Sequence, residues 1–240
     1  MRALLLAAGH GTRLGALTQN RPKGLLEVGD QTILAHIIKR LVRHGFDQIA
    51  VNLHAFADQI RGQLGDGSQF GATLHYSDEQ QPLGTAGALA PLQAFFADEP
   101  LFLVHYGDVL TDHDLRQLVS LHRDRASDAT LLLHRREHSN SVAFLDHQGA
   151  VRAFYERPSQ PPPPLPFERL VFSGVCVCGP AVLEAAMTGA KDLPADIFPR
   201  LARQGRLFGQ ALNGFRIAVD SPARLELARQ ALASGQLIAL

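Results

Sequence analysis

With 240 residues, 46% of them hydrophobic, and 23 Lys plus Arg set against 23 Asp plus Glu, the chain has enough apolar material for one sizeable globular domain and no net field to draw in nucleic acid or an anionic membrane. No apolar run approaches the roughly 20 residues of a membrane helix, and Met1-Arg2 leads into a strand pattern instead of the apolar core of a secretory leader, so the cytoplasm is the expected compartment. Two cysteines, Cys176 and Cys178, are too few for a zinc site and too close for an ordinary structural bridge, and they read as reduced core thiols.

The first stretch, Leu4-Leu5-Leu6-Ala7-Ala8-Gly9-His10-Gly11-Thr12-Arg13-Leu14, is followed by Arg21-Pro22-Lys23. A strand runs into a turn whose glycines let backbone N–H groups close on an anion, and Arg13 and Lys23 add a planar fork and a mobile point charge suited to phosphate oxygens. The string predicts a triphosphate cradle. A dinucleotide fold is disfavoured, because it wants a small residue where Leu14 stands and an acidic one near Asn52-Leu53-His54.

Residues 32–44 carry apolar side chains at helical spacing, with basic residues late and Gly45 as a stop. Gln48 to Leu53 is a buried-strand pattern and Ala57 to Leu64 a helix. This rhythm predicts a parallel sheet with right-handed crossovers, whose ligands bind at the strands' carboxyl ends. Gln80-Gln81-Pro82-Leu83-Gly84-Thr85-Ala86-Gly87 reads as a turn opening a helix with Thr85 as its cap. Leu101 to His105 is a strand running into Tyr106-Gly107-Asp108-Val109.

A helix is expected from Asp112 to Arg125, its charges matching the helix dipole. Strands follow at Ala129 to His134, Val142 to Leu145 and Val151 to Tyr155, with a hairpin turn at Asp146-His147-Gln148-Gly149. His134 and His138 lack the order of a metal-binding helix and read as surface or core residues. After Phe154-Tyr155-Glu156-Arg157-Pro158 comes the proline tract 161–164, a stiff loop. Val171 to Val177 is a strand, and helical runs occupy Pro180 to Met187 and Ala195 to Arg203. Asn213-Gly214 predicts a two-residue hairpin between flanking strands, the second of which ends in Val219-Asp220-Ser221-Pro222 before a last helix to Ala233. Asp220 alone reads as that helix's cap.

The string from Leu6 to Leu14 with Arg21-Pro22-Lys23 resembles the signature of the sugar-1-phosphate nucleotidyltransferases. The resemblance implies an α/β fold, Rossmann-like, with a mostly parallel sheet flanked by helices and a small antiparallel sugar-binding subdomain. It implies one domain over residues 1–240, with 1–110 mainly nucleotide-binding and 111–240 mainly sugar-phosphate-binding. Nucleotide contacts fall on Leu6, Ala8, Gly9, Gly11, Thr12, Arg13, Gln81 and Gly87, and catalytic roles on Arg13, Lys23 and Asp108. Glu156, Arg157 and Gly174 take the sugar phosphate, with Arg157 where the family has lysine. Mg²⁺ is the implied cofactor, on Asp108 and Asp220. Many members carry their second metal aspartate where this chain has Ala218. Asp220, two positions later, is expected on the same strand face. Tyr106 replaces a usual asparagine or serine.

The implied partners are a nucleoside triphosphate and a sugar 1-phosphate, with no nucleic acid and no membrane, and with self-assembly left open. Gly84-Thr85-Ala86-Gly87 and Gln81 look most like members using GTP and mannose-type sugar phosphates. Uridylyl transfer and a non-catalytic regulatory paralogue are the alternatives.

Overall fold

In the computed structural model, which describes residues 1–9 and 11–237, the strands are β1 (Arg2–Leu6), β2 (Glu27–Val28), β3 (Gln31–Thr32), β4 (Gln48–Leu53), β5 (Thr73–Asp78), β6 (Phe102–Tyr106), β7 (Val109–Thr111), β8 (Ala129–His134), β9 (Ser141–Leu145), β10 (Val151–Glu156), β11 (Glu168–Cys178), β12 (Leu207–Ala211) and β13 (Arg216–Ala218). The helices are α1 (Ile33–Arg43), α2 (Ala57–Leu64), α3 (Gly84–Gly87), α4 (Gln93–Phe96), α5 (Leu115–Asp124), α6 (Pro180–Met187), α7 (Phe198–Arg203) and α8 (Pro222–Ala233). The architecture is a mostly parallel sheet flanked by helices, with small antiparallel sheets. The chain falls into two compact bodies. The first takes Met1–Pro82, His105–His113 and Asn213–Leu240, and the second takes Leu83–Val104 and Asp114–Leu212.

In the first body β1, β4 and β5 run parallel, with Arg2 opposite Gln48 and Gln48 opposite Thr73. Ala3, Leu4, Leu5, Ile49, Ala50 and Val51 are completely buried, as expected of strands covered on both faces, which read as continuous apolar runs. The helix α1 begins where Thr32 accepts a hydrogen bond from the Ala35 N–H at 3.2 Å, and it buries Ile33, Leu34, Ile37, Ile38 and Leu41. Its cap and its late Arg40 and Arg43 satisfy the orphan donors and the dipole at opposite ends.

The exit of β6 closes on the end of β1. The Gly107 N–H donates to the Leu6 carbonyl at 2.8 Å, and a Cβ at 107 would stand 2.5 Å from that oxygen. Only glycine lets the two backbones meet so closely. Directly after it, β7 pairs antiparallel with β13, placing Val109 opposite Ala218, and the Val219 N–H donates to the Asp108 carbonyl at 2.7 Å.

In the second body β11 pairs antiparallel with β8 and β9, β10 with β9, and β12 runs parallel to β8. The β9–β10 turn closes as expected, with the Asp146 carboxylate accepting from the N–H groups of Gln148 and Ala150 and Gly149 at φ 81°. Phe154 and Phe172 both pack edge-on against Phe198, at 5.4 and 5.3 Å between centroids. Between Phe172 and Cys176 three residues of β11 face one of β8. Gly174, at φ 86°, sits in this bulge. Cys176 and Cys178 are free thiols, completely buried, with their sulfurs 3.6 Å apart. Burial raises the Cys176 thiol pKa.

Four local expectations are corrected. The helix expected from Asp112 begins at Leu115, because Asp114 caps it by accepting from the Arg116 N–H, while Asp112 accepts from the Phe215 N–H at 2.6 Å. Thr85 lies inside α3 instead of capping it. Its hydroxyl donates to Asp192 and accepts from the Leu193 N–H. Residues 193–197 form a π-helical turn, capped by Asp192, ahead of α7. Asn213-Gly214 does not close a hairpin, since β12 pairs with β8 and β13 with β7. Its glycine, at φ 109°, instead leaves room for the Asp112 carboxylate.

Gly107→Ala is expected to cost about 1–3 kcal/mol by forcing a methyl group against a backbone oxygen that has no rotamer to retreat into. Denaturant unfolding measures it, and an unchanged midpoint would contradict the close approach.

Candidate functional site

The turn after β1 owes its shape to Gly11, which takes the left-handed conformation at φ 65° and leads into the 3₁₀ turn Thr12–Thr18. The Leu14 N–H and the Thr18 hydroxyl both donate to the Gly11 carbonyl at 3.0 Å, and buried Leu14 anchors the turn beneath. A Cβ on Gly9 would meet nothing within 4 Å, so glycine there leaves open space. That space is a hollow of about 230 Å³ lined by Gly9, Gly11, Thr12, Arg13, Leu14, Lys23 and Asp220.

Charge in the hollow is organised in pairs. Lys23 Nζ donates to Asp108 Oδ2 at 2.6 Å, with both side chains less than one-fifth exposed. Arg13 Nη1 approaches Asp220 Oδ2 at 3.4 Å, and its side chain is 75% exposed. Arg224 Nε lies 3.2 Å from Asp220 Oδ1. Three cations thus face two carboxylates in the first body.

Two sequence expectations about Asp220 are revised by this geometry. The helix cap is Ser221, whose hydroxyl accepts from the Arg224 N–H at 3.3 Å. The strand-face reasoning fails as well, because β13 ends at Ala218 and Asp220 lies beyond it, its N–H turned back to the Ala218 carbonyl at 3.1 Å.

Sequence reasoning missed Asn52 as a support of the cradle. Its side chain, 3% exposed, accepts from the Ala7 N–H and donates to Glu79 Oε1, both at 2.8 Å. A polar residue inside an apolar parallel strand was the available signal. Leu6 and Ala8 are partly exposed, and Gly9, Thr12 and Gln81 are exposed, in the same body.

The second body carries the remaining expected residues. Glu156 ends β10 with its side chain 11% exposed, and Arg157 Nε stands 3.5 Å from its Oε1. Burial pushes the Glu156 carboxyl up to about 7, with Arg157 opposing and Asp192 adding to the rise. Arg157 itself is held at φ 43°, rare for a residue with a side chain, and its N–H donates to the Asn140 carbonyl. Gly87 belongs to a turn fastened to Lys191, whose carbonyl accepts from the N–H groups of Ala86 and Gly87 at 2.9 and 3.1 Å. Gly84, at φ 86°, is required because a Cβ would collide with the same oxygen. Lys191 and Asp192 drew no attention in the sequence, as nothing local marks them.

The family described as Nucleotidyl transferase matches residues 2–214. Mannose-1-phosphate guanylyltransferase catalytic subunit beta of Drosophila pseudoobscura pseudoobscura is 31% identical over 226 residues, covering 92% of this chain and 59% of the relative. UTP–glucose-1-phosphate uridylyltransferase of Synechocystis is 32% identical over 224 residues, covering 87% of this chain and 57% of the relative. The chain therefore spans about three-fifths of the length of these curated relatives. A solved structure provisionally named a glucose-1-phosphate thymidylyltransferase, from Bacillus anthracis, shares the fold with a TM-score of 0.84 at 22% identity, covering 100% of this chain and 97% of that one. HddC from Yersinia pseudotuberculosis, complexed with GMP-PN, does so at 0.77 and 20%, covering 95% of this chain and 98% of that one.

Two outcomes test the local electrostatics. Glu156, with its folded pKa raised from 4.5 to about 7, binds more protons folded than unfolded between those values. Its contribution to stability is present below pH 4.5 and lost as pH rises through 7. Melting curves of wild type against Glu156→Gln should therefore show wild type losing ground across that window, and parallel curves would refute the shift. Ser221→Ala should cost about 1 kcal/mol and Asp220→Asn almost nothing, since only the serine caps α8. The reverse order in thermal unfolding would contradict this assignment of the cap.

Proposed function

The chain belongs to the nucleotidyl transferase family, and from that membership we propose that it transfers a nucleoside monophosphate from a nucleoside triphosphate to a sugar 1-phosphate, with release of pyrophosphate. The observation that supports the reading is the hollow at the glycine turn, lined by Arg13 and Lys23, two cations each paired with a carboxylate. An exposed ion pair such as Arg13 with Asp220 is worth only about 0–1 kcal/mol, so a triphosphate exchanges it at little cost. Arg13 then takes charge on the leaving pyrophosphate, and Lys23 serves the donor and acceptor phosphates.

The acceptor's phosphate oxygen is already anionic near neutral pH. It attacks the α-phosphorus in line, the bond to the pyrophosphate oxygen breaks, and the electron pair leaves with pyrophosphate. No general base is required. Alignment and charge neutralisation supply the rate. Arg157, whose side chain is 76% exposed and only loosely paired with Glu156, is assigned to the acceptor's phosphate, with Glu156 and Gly174 on the sugar.

Asp108 and Asp220 suit Mg²⁺ in the chemistry of their donors, which are hard carboxylate oxygens. Among the described residues no three His, Cys, Asp or Glu converge, so water and phosphate oxygens would complete the coordination. When bound, the ion supplies charge neutralisation at the α-phosphate.

GTP with a manno-configured sugar 1-phosphate is the favoured pair, supported by Gln81, the Gly84-Thr85-Ala86-Gly87 turn and the Drosophila relative. Uridylyl transfer is the second reading, supported by the Synechocystis relative at similar identity. A pyrophosphate-release matrix of four nucleoside triphosphates against several sugar 1-phosphates decides between them. Clear preference for UTP or dTTP overturns the first, and no release with any pair leaves a binding-only protein.

Arg13→Ala should lose about 3 kcal/mol or more of transition-state stabilisation, as for other electrostatic contacts to developing charge. Its melting temperature should stay put, because the side chain is mostly in solvent. Turnover within threefold of wild type would sink the assignment.

A further inference from the structure

We propose that Arg224 is the positioning residue of Asp220, fixing the carboxylate that lines the cradle while itself staying off the substrate. The inference rests on the reading of Asp220 as a metal ligand. Past the end of β13 no strand pairing holds residue 220, and the local backbone is fixed by the Val219 N–H on Asp108 and the Asp220 N–H on Ala218. The carboxylate swings about its own χ angles unless something grips it. Arg224 does so from the first turn of α8. Its one Nε–H donates to the Ala218 carbonyl at 2.5 Å, and this anchor holds the guanidinium charge 3.2 Å from Asp220 Oδ1 as an ion pair.

The two arginines on Asp220 differ in kind. Arg13, at 75% exposure, sits on Oδ2 at 3.4 Å and can move to phosphate. Arg224, at 26% exposure and anchored on Ala218, is the one built to remain. With Oδ1 turned to the Arg224 guanidinium as an ion pair, Oδ2 is the oxygen left for the hollow once Arg13 departs. The helix does not need the guanidinium, since Ser221 caps α8 through the Arg224 N–H. A lysine would keep the charge but not the planar group that meets both acceptors.

A cation beside a metal-binding carboxylate also repels the metal, so two effects of opposite sign compete. If orientation dominates, removing Arg224 weakens metal binding. If repulsion dominates, it tightens it. Loss of an outer partner that orients a ligand typically costs 10–100-fold in metal affinity or activity.

The far side of Arg224 offers a direct test. Together with Phe215, Ile217, Leu227 and Ala231 it lines a groove of about 360 Å³, wide enough to admit a free guanidinium ion. Mn²⁺ is titrated by electron paramagnetic resonance into the full chain with the α,β-methylene analogues of GTP and of UTP in turn, neither of which can transfer its nucleotide. The variants Arg224→Ala and Arg224→Lys are compared with wild type, with and without millimolar guanidinium chloride. We expect Mn²⁺ affinity to fall 10–100-fold in Arg224→Ala, to recover severalfold with guanidinium, and to stay below wild type in Arg224→Lys. Turnover should fall in step, while KM for the sugar 1-phosphate holds.

Unchanged or tighter Mn²⁺ binding in Arg224→Ala overturns the proposal, as does a failure of guanidinium to rescue a variant that melts like wild type. Should Arg224→Ala not fold, Arg224→Lys decides alone, and wild-type affinity in it overturns the proposal. Absence of nucleotide-dependent Mn²⁺ binding in wild type also overturns it. Mn²⁺ binding without pyrophosphate release from any pair defeats nucleotidyl transfer but leaves the role of Arg224 to the titration.

Discussion

The meeting of two strand ends, the Gly107 N–H on the Leu6 carbonyl, is the constraint on which the rest of the candidate site depends. A carboxylate at a strand's carboxyl end is ordinary, and so is a glycine turn after another strand. Their value comes from proximity, and proximity comes from a position where no side chain fits. Asp108 follows Gly107 immediately, so the backbone hydrogen bond places a carboxylate beside the turn that carries Arg13 and leads to Lys23. From Asp108 the same logic extends through its carbonyl to Val219, and so to Asp220. Backbone contacts set the frame, and side chains then need only short reaches to meet.

Within that frame the charges neutralise one another without being consumed. Lys23 with Asp108 is the more covered pair and Arg13 with Asp220 the more exposed one. In water an exposed pair is nearly free to exchange partners, whereas a covered pair keeps more of its Coulomb attraction and resists. The two pairs therefore act as a loose and a tight latch on the same hollow. Arg13 is the freer of the two cations, and Lys23 keeps Asp108 from standing as an uncompensated charge.

Much of this was legible in the sequence because it is written in local pattern. The parallel strands β1 and β4, the helices α1, α2, α6 and α8, and the β9–β10 turn follow from periodicity, caps and glycine placement. What was illegible depends on partners distant in the chain. Asn213-Gly214 carries a hairpin signal, yet its flanking strands are claimed by β7 and β8, and the glycine's freedom serves the Asp112 carboxylate instead. Thr85 has the chemistry of a cap and spends it on Asp192 and Leu193, more than a hundred residues away. Asn52 and Arg224 read as an odd polar residue and an ordinary helix arginine until the fold brings Ala7 to one and Asp220 to the other.

Positions 218 and 220 show why the alternation of strand faces does not carry from one to the other. Position 218 lies on the β7–β13 ladder opposite Val109 and is only 9% exposed, so an alanine there is a packed strand residue. Two steps on, the strand has ended, and whatever brings position 220 to the hollow is not the alternation of strand faces. It is the bend between them, closed by the Asp220 N–H on the Ala218 carbonyl and by Arg224 on both. A carboxylate on a bend lacks the rigidity of the ladder and needs a substitute for it. A side chain one helical turn further on supplies that substitute. The alanine is held by the ladder, and the aspartate by the bend and by the Arg224 guanidinium beside it.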